Sequence, residues 1–191
     1  MGRSWTCARW RCSLTQAVDD LYARLAAIDK RLKHIETLER LNSASFMQWL
    51  SPAVLCAEAD AQTIANNYVT AIAFADADIF DTDAMHDPTT NNTRITFTAA
   101  GVYLVWGGGR WNAGSGSGVR ETYLRANGTT TLPGSLVTFR QSTTTDAPGQ
   151  VTMAIYSASA GQYVELCVYQ NSGSNRTYSS QSFGAMRVPG A

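Results

Sequence analysis

Residues 151–170 read VTMAIYSASAGQYVELCVYQ, and their alternation decides the fold. Val151, Met153 and Ile155 share one face of a strand, while Val164, Leu166 and Val168 share one face of another, opposite Glu165 and Cys167. Side chains alternate with period 2 along a strand, whereas a helix would space its apolar residues three and four apart.

Outward from this stretch the same kind of run recurs, with turn signals between the runs. Residues 68–74, 94–98, 102–111, 119–126, 135–141 and 182–188 join 151–157 and 163–170 as candidate strands, and Asn127-Gly128 ends one of them with a turn. Eight strands in about 120 residues, with no helical segment between them, predict an antiparallel jelly-roll sandwich or a close relative. The glycine-rich run 107–118 lacks the lysine of a phosphate loop and leads into a strand, so it reads as a hairpin tip.

Upstream the period changes. Leu14, Val18, Leu21, Leu25, Ile28, Leu32 and Ile35 recur in 4-3-4-3 spacing, the a/d seam of a heptad repeat. Arg24 and Arg31 fall at g, and Asp29 and Glu36 five residues later at e, the pairing of parallel helices. A lone amphipathic helix shares the three-to-four period, but these interhelical ion pairs favour a coil. Leu at a with Ile at d moves the preference from two strands toward three or four, and the reading is a parallel trimer. The expected fold is therefore mainly β, an antiparallel jelly-roll sandwich behind an N-terminal α-helical parallel trimeric coiled coil.

Composition agrees with this division. The 191 residues carry 15 basic and 15 acidic side chains, but 1–41 holds eight basic and five acidic while 42–191 holds seven and ten, with no lysine. At 45% hydrophobic residues and no net charge, disorder is excluded, and so is a nucleic-acid binder relying on excess positive charge. No apolar run approaches the roughly 20 residues of a membrane-spanning helix, so no membrane insertion is expected. The expected parts are an anchoring arm (1–13), a stalk (14–41), a connector with a short helix (42–67) and a knob (68–191). In the arm, Arg3, Trp5, Arg9, Trp10 and Arg11 are of the types that anchor protein interfaces. Without an apolar leader core after the basic residues, assembly in a cytoplasm is expected.

At this point the residues resemble a known family, the globular head domain of C1q and tumour necrosis factor proteins. The matching pieces are Phe97-x-x-x-Gly101-Val102-Tyr103, Asn127-Gly128, Gly161-x-Tyr163-Val164-Glu165-Leu166-x-Val168 and Phe183-Gly184-Ala185-Met186. The segments 80–87 and 91–95 look like the bacterial and bacteriophage branch, and a heptad helix stands where animal members have collagen repeats. The resemblance implies a trimeric knob in which one sheet of each copy faces a threefold axis closed by aromatic residues. Tyr103, Tyr123, Tyr163 and Tyr169 are candidates for that closure or for each copy's own core; alternation alone leaves both readings open. It also implies the layout of a phage fibre or head decoration.

Other constellations carry less. Asp76, Asp78, Asp81 and Asp83, with Asp87, form a dense carboxylate run that reads as an exposed acidic loop, with calcium as the cation to test. Arg110, Trp111 and Asn112 beside the glycine-rich tip offer a sugar-stacking surface or, for Trp111, core packing. Cys7 and Cys12 lack a second ligand pair for zinc, and no cofactor is expected. Neither His34 nor His86 lies in a nucleophile motif, and nothing brings Glu121 and Glu165 together as a carboxylate pair, so no enzyme is expected. The functional expectation is a homotrimeric structural protein of a bacteriophage virion, displayed at the virion surface and docked on capsid, tail or baseplate proteins. The alternative is a receptor-binding protein that attaches to a host surface glycan or protein.

Overall fold

The computed structural model describes residues 6–49, 51–113, 116–141 and 148–189, and within the N-terminal helix the side chains of 16 and 18–38. The chain divides into two units, 1–49 and 50–191. The first is one helix, α1 (Thr6–Trp49), of 44 residues and roughly 66 Å at 1.5 Å per residue. From Thr6 it runs continuously through the described part of the expected arm, the stalk and into the expected connector. No helix among the described residues is long and apolar enough to cross a membrane.

Among its described residues the second unit holds twelve strands: β1 (Ala53–Glu58), β2 (Gln62–Ile64), β3 (Tyr68–Ala71), β4 (Phe80–Asp81), β5 (Arg94–Thr96), β6 (Gly101–Trp111), β7 (Gly118–Ala126), β8 (Thr130–Thr131), β9 (Val137–Gln141), β10 (Gly149–Ala158), β11 (Tyr163–Gln170) and β12 (Arg176–Arg187). They form two six-stranded antiparallel sheets. The first runs β10-β6-β12-β1-β4 with β2 beside β12; the second runs β3-β11-β7-β8 with β5 on β11 and β9 on β7. All eight expected strands are present, with ends shifted by a few residues.

The connector expected at 42–67 is corrected at both ends. Helix α1 fills 42–49, and β1 and β2 belong to the knob, β1 pairing with β12 from Ala53↔Met186 to Glu58↔Gln181. Alternation in β1 is masked because its third inward position is charged: Val54, Cys56 and Glu58 point in. Glu58 tolerates this because its carboxylate accepts the N–H groups of Ala75 at 2.7 Å and Asp60 at 3.2 Å.

Between the sheets lies one core, in which Phe74, Phe97, Tyr103, Tyr178, Phe183 and Leu166 are fully buried. Phe97 and Tyr103 pack at 4.4 Å between ring centroids, and Phe74 and Phe183 at 5.7 Å. The glycines of β6 let this core close. A Cβ on Gly109 would stand 2.6 Å from Cε1 of Tyr178, and one on Gly107 would stand 3.0 Å from Leu166 Cδ1. In β11 Val164, Leu166 and Val168 enter the core as the alternation predicts, and Cys167, on the other face, is buried as well.

Candidate assembly interface

Strand β10 inverts the usual rule for a half-buried strand. Its inward positions carry Gln150, Thr152 and Ala154, all under 8% exposed, whereas Val151, Met153 and Ile155 stand outward at 68%, 60% and 71%. Polar residues survive inside because they are bonded. Gln150 Oε1 accepts the indole N–H of Trp111 at 2.7 Å and the hydroxyl of Thr122 at 3.0 Å, while its Nε2 donates to the carbonyls of Arg120 and Val137, both at 3.2 Å. Thr152 donates its hydroxyl to Ser135 O.

The exposed row continues across the first sheet. Residues directly opposite in an antiparallel pair lie on the same face. Ile155 faces Leu104 and Met186 faces Leu104; Met153 faces Trp106, Trp106 faces Gly184, Gly184 faces Leu55, and Leu55 faces Phe80. Five strands thus present a continuous apolar outer face, and Met186 and Phe80 are each 42% exposed on it. Contiguous exposed apolar faces of this kind are characteristic of contact surfaces.

On α1 the seam residues Val18, Leu21, Leu25, Ile28, Leu32 and Ile35 are 41–58% exposed in the single chain. Asp29 pairs with Lys33 one turn on, at 2.9 Å, within its own helix. Arg3 and Trp5 lie outside the described residues, as do the side chains of Arg9, Trp10, Arg11 and Leu14.

The aromatic candidates separate by position. Tyr103 points into the core, fully buried, and donates its hydroxyl to Ala99 O at 2.8 Å. Tyr123, Tyr163 and Tyr169 lie on the outer side of the second sheet: Tyr123 is 9% exposed, Tyr163 packs under the guanidinium of Arg94 at 4.2 Å, and the Tyr169 hydroxyl donates to Asn67 Oδ1 at 3.3 Å. None of the four belongs to the apolar face of the first sheet, whose aromatic members are Trp106 and Phe80. Strand alternation reveals which residues share a face but not which face turns outward, so it left the place of these tyrosines open.

Trp111 is 1% exposed, edge-on to Tyr178 at 4.9 Å with the Arg120 guanidinium at 5.6 Å, and it has no free face for a sugar. Arg110 and Asn112 beside it are exposed, and Asn112 Oδ1 accepts the Ser179 hydroxyl at 2.9 Å. The acidic residues serve their loops. Asp76 accepts Ala59 N–H at 2.9 Å, Asp81 accepts Asp83 N–H at 3.1 Å and His86 N–H at 2.9 Å, and Asp83 accepts the Thr98 hydroxyl. Only Asp78 stands in a mixed cluster with other ligand types among the described residues. Glu165 pairs with Arg125 at 3.0 Å, and Glu121 stands opposite Tyr169.

The knob is an antiparallel jelly-roll sandwich of two packed sheets. Its likeness is to murine APRIL (structure at pH 5.0), with a TM-score of 0.51 at 10% identity over 72% of this chain and 99% of that one. The globular domain of zebrafish complement 1qA gives a TM-score of 0.49 at 13% identity, over 72% of this chain and 97% of that one. No protein-family model matches the chain, and no curated protein matches it.

Proposed function

We propose that the chain is a homotrimeric structural protein of a bacteriophage virion, a short fibre or decoration with its N-terminus anchored and its knob displayed at the virion surface after assembly in the bacterial cytoplasm. The observation that carries the reading is the outward row Val151, Met153 and Ile155 on β10, continuous with Trp106, Leu104 and Met186. Copies of this face around a common axis supply one another with apolar surface, and the heptad stripe of α1 favours three parallel copies. A helical stalk leading into a trimeric knob supports the virion setting. Sedimentation of the full chain tests the oligomer: three chains are expected, with Met153→Asp/Ile155→Asp weakening association while β-structure persists. A stable monomer at micromolar concentration overturns the reading, and immunolabelling of intact particles tests the virion setting.

A second reading, attachment to a host glycan, is favoured by a cavity at one end of the knob lined by Ser117, Gly118, Val119, Arg140, Gln141 and Asn171. Polar groups around a concavity suit a sugar better than the buried Trp111 does. A glycan array with the full chain tests it, with binding expected to fall in Arg140→Ala.

A further inference from the structure

Cys56, at the centre of β1, meets two residues from the loops flanking β4. The Cys56 sulfur, an Asp78 carboxylate oxygen and a His86 ring nitrogen all lie within 4.8 Å of one another. The site is dry: Cys56 is 1% exposed, the His86 side chain fully buried and the Asp78 side chain 13% exposed. The ring of His86 also stands edge-on to Phe74 at 6.4 Å.

Both ring nitrogens of His86 face acceptors. Nε2 lies 3.3 Å from the Asn92 carbonyl oxygen and Nδ1 lies 2.8 Å from Asp78 Oδ1. A neutral imidazole carries one N–H. With its proton on Nδ1 the ring donates to Asp78 at 2.8 Å; with the proton on Nε2 it donates to the Asn92 carbonyl, and Nδ1 is then free to ligate a metal ion that Asp78 also binds. The Cys56 sulfur beside them decides for the metal, because imidazole, carboxylate and thiolate together are a zinc donor set and a poor one for calcium or magnesium.

We propose that Cys56, Asp78 and His86 form a zinc(II) site, with His86 ligating through Nδ1 and water in the fourth position. The donors of a tetrahedral zinc ion stand roughly 3.3–3.6 Å apart, given bond lengths of about 2.0–2.3 Å, so side-chain shifts on the order of an ångström that open the 2.8 Å pair and draw in the sulfur fit the trio to the ion. The Asn92 carbonyl fixes the ring tautomer, as outer partners of zinc-bound histidines do, and Asp81 holds the His86 backbone N–H. Zinc would tie the loops around β4 to β1, its neighbour at the edge of the first sheet.

The test uses the full chain stripped with chelator, dialysed against zinc and assayed for metal, with affinity measured against a chromophoric competitor. The Cys7→Ser/Cys12→Ser chain controls for the helix cysteines. One zinc per chain is expected in the wild type and in that control. Cys56→Ser should lose the metal, and Asp78→Asn should bind at least about tenfold more weakly. Cobalt(II) added to the control chain should give a thiolate-to-cobalt charge-transfer band that Cys56→Ser abolishes. If Cys56→Ser fails to fold, the cobalt band and Asp78→Asn still decide. Absence of zinc from the wild type, with His86 and Asp78 held by a proton alone, overturns the proposal. So does zinc that Cys56→Ser keeps and the control chain loses.

Discussion

Trp106 occupies the space a side chain at position 184 would need: a Cβ built on Gly184 would lie 2.6 Å from Trp106 Cε2. The glycine lets the indole settle across β12, making the apolar face continuous from β10 to β1. Gly184→Val should therefore lift Trp106 and break the face at its middle. The expected outcome is weaker association by sedimentation velocity with little change in far-UV circular dichroism. Unchanged association would mean that this face is not the contact.

Gln150 is the polar centre of the knob, and Gln150→Leu strips partners from the Trp111 indole and the Thr122 hydroxyl at once. The substitution should cost about 2–4 kcal/mol, lowering the melting temperature by roughly 5–15 °C. A thermal melt reads this directly.

Tyr103→Phe removes one hydroxyl bonded to Ala99 O and leaves the ring in the core. Stability should fall by about 1 kcal/mol in a denaturant titration, and the oligomer should be unaffected. A change in chain number would place Tyr103 at an interface after all.

Alkaline pH should weaken the knob. Burial pushes the Tyr178 hydroxyl from 10.0 to about 12 despite its bond with Thr122, and pushes the Cys167 thiol from 9.0 to about 12 despite Arg125. The unfolded chain releases these protons first, so their contribution is intact below about pH 9 and is lost as pH rises toward about 12. Urea midpoints at about pH 7.5 and 10.5 check it, and a midpoint that holds or rises contradicts it.

Legibility in the sequence followed the physics of each element. Strand β11 (Tyr163–Gln170) was legible to the residue because its alternating apolar residues Val164, Leu166 and Val168 are the ones that enter the core. β1 was not, because a charged Glu58 occupies an inward position that only a distant loop makes tolerable. In β10 the alternation was clear but its sense was hidden, since polar residues face inward through bonds formed by β6, β7 and β9. Trp111 could be placed in the core only once Gln150 was seen to meet its indole. Cys56, Asp78 and His86 lie on a strand and two loops, and no local spacing announces their meeting.

The N–H of Arg187 donates to the carbonyl of Pro52 at 2.9 Å, where β1 and β12 begin their antiparallel ladder. The chain thus enters and leaves the knob at neighbouring points of one sheet. A pull between those points peels the ladder open one pair at a time, as a zip opens, instead of shearing all its bonds together. The same proximity makes the knob suited to circular permutation, with a short linker joining its ends and new termini opened in a turn such as Asn127-Gly128. A peptide grafted after residue 189 would emerge beside the point where the chain arrives from α1.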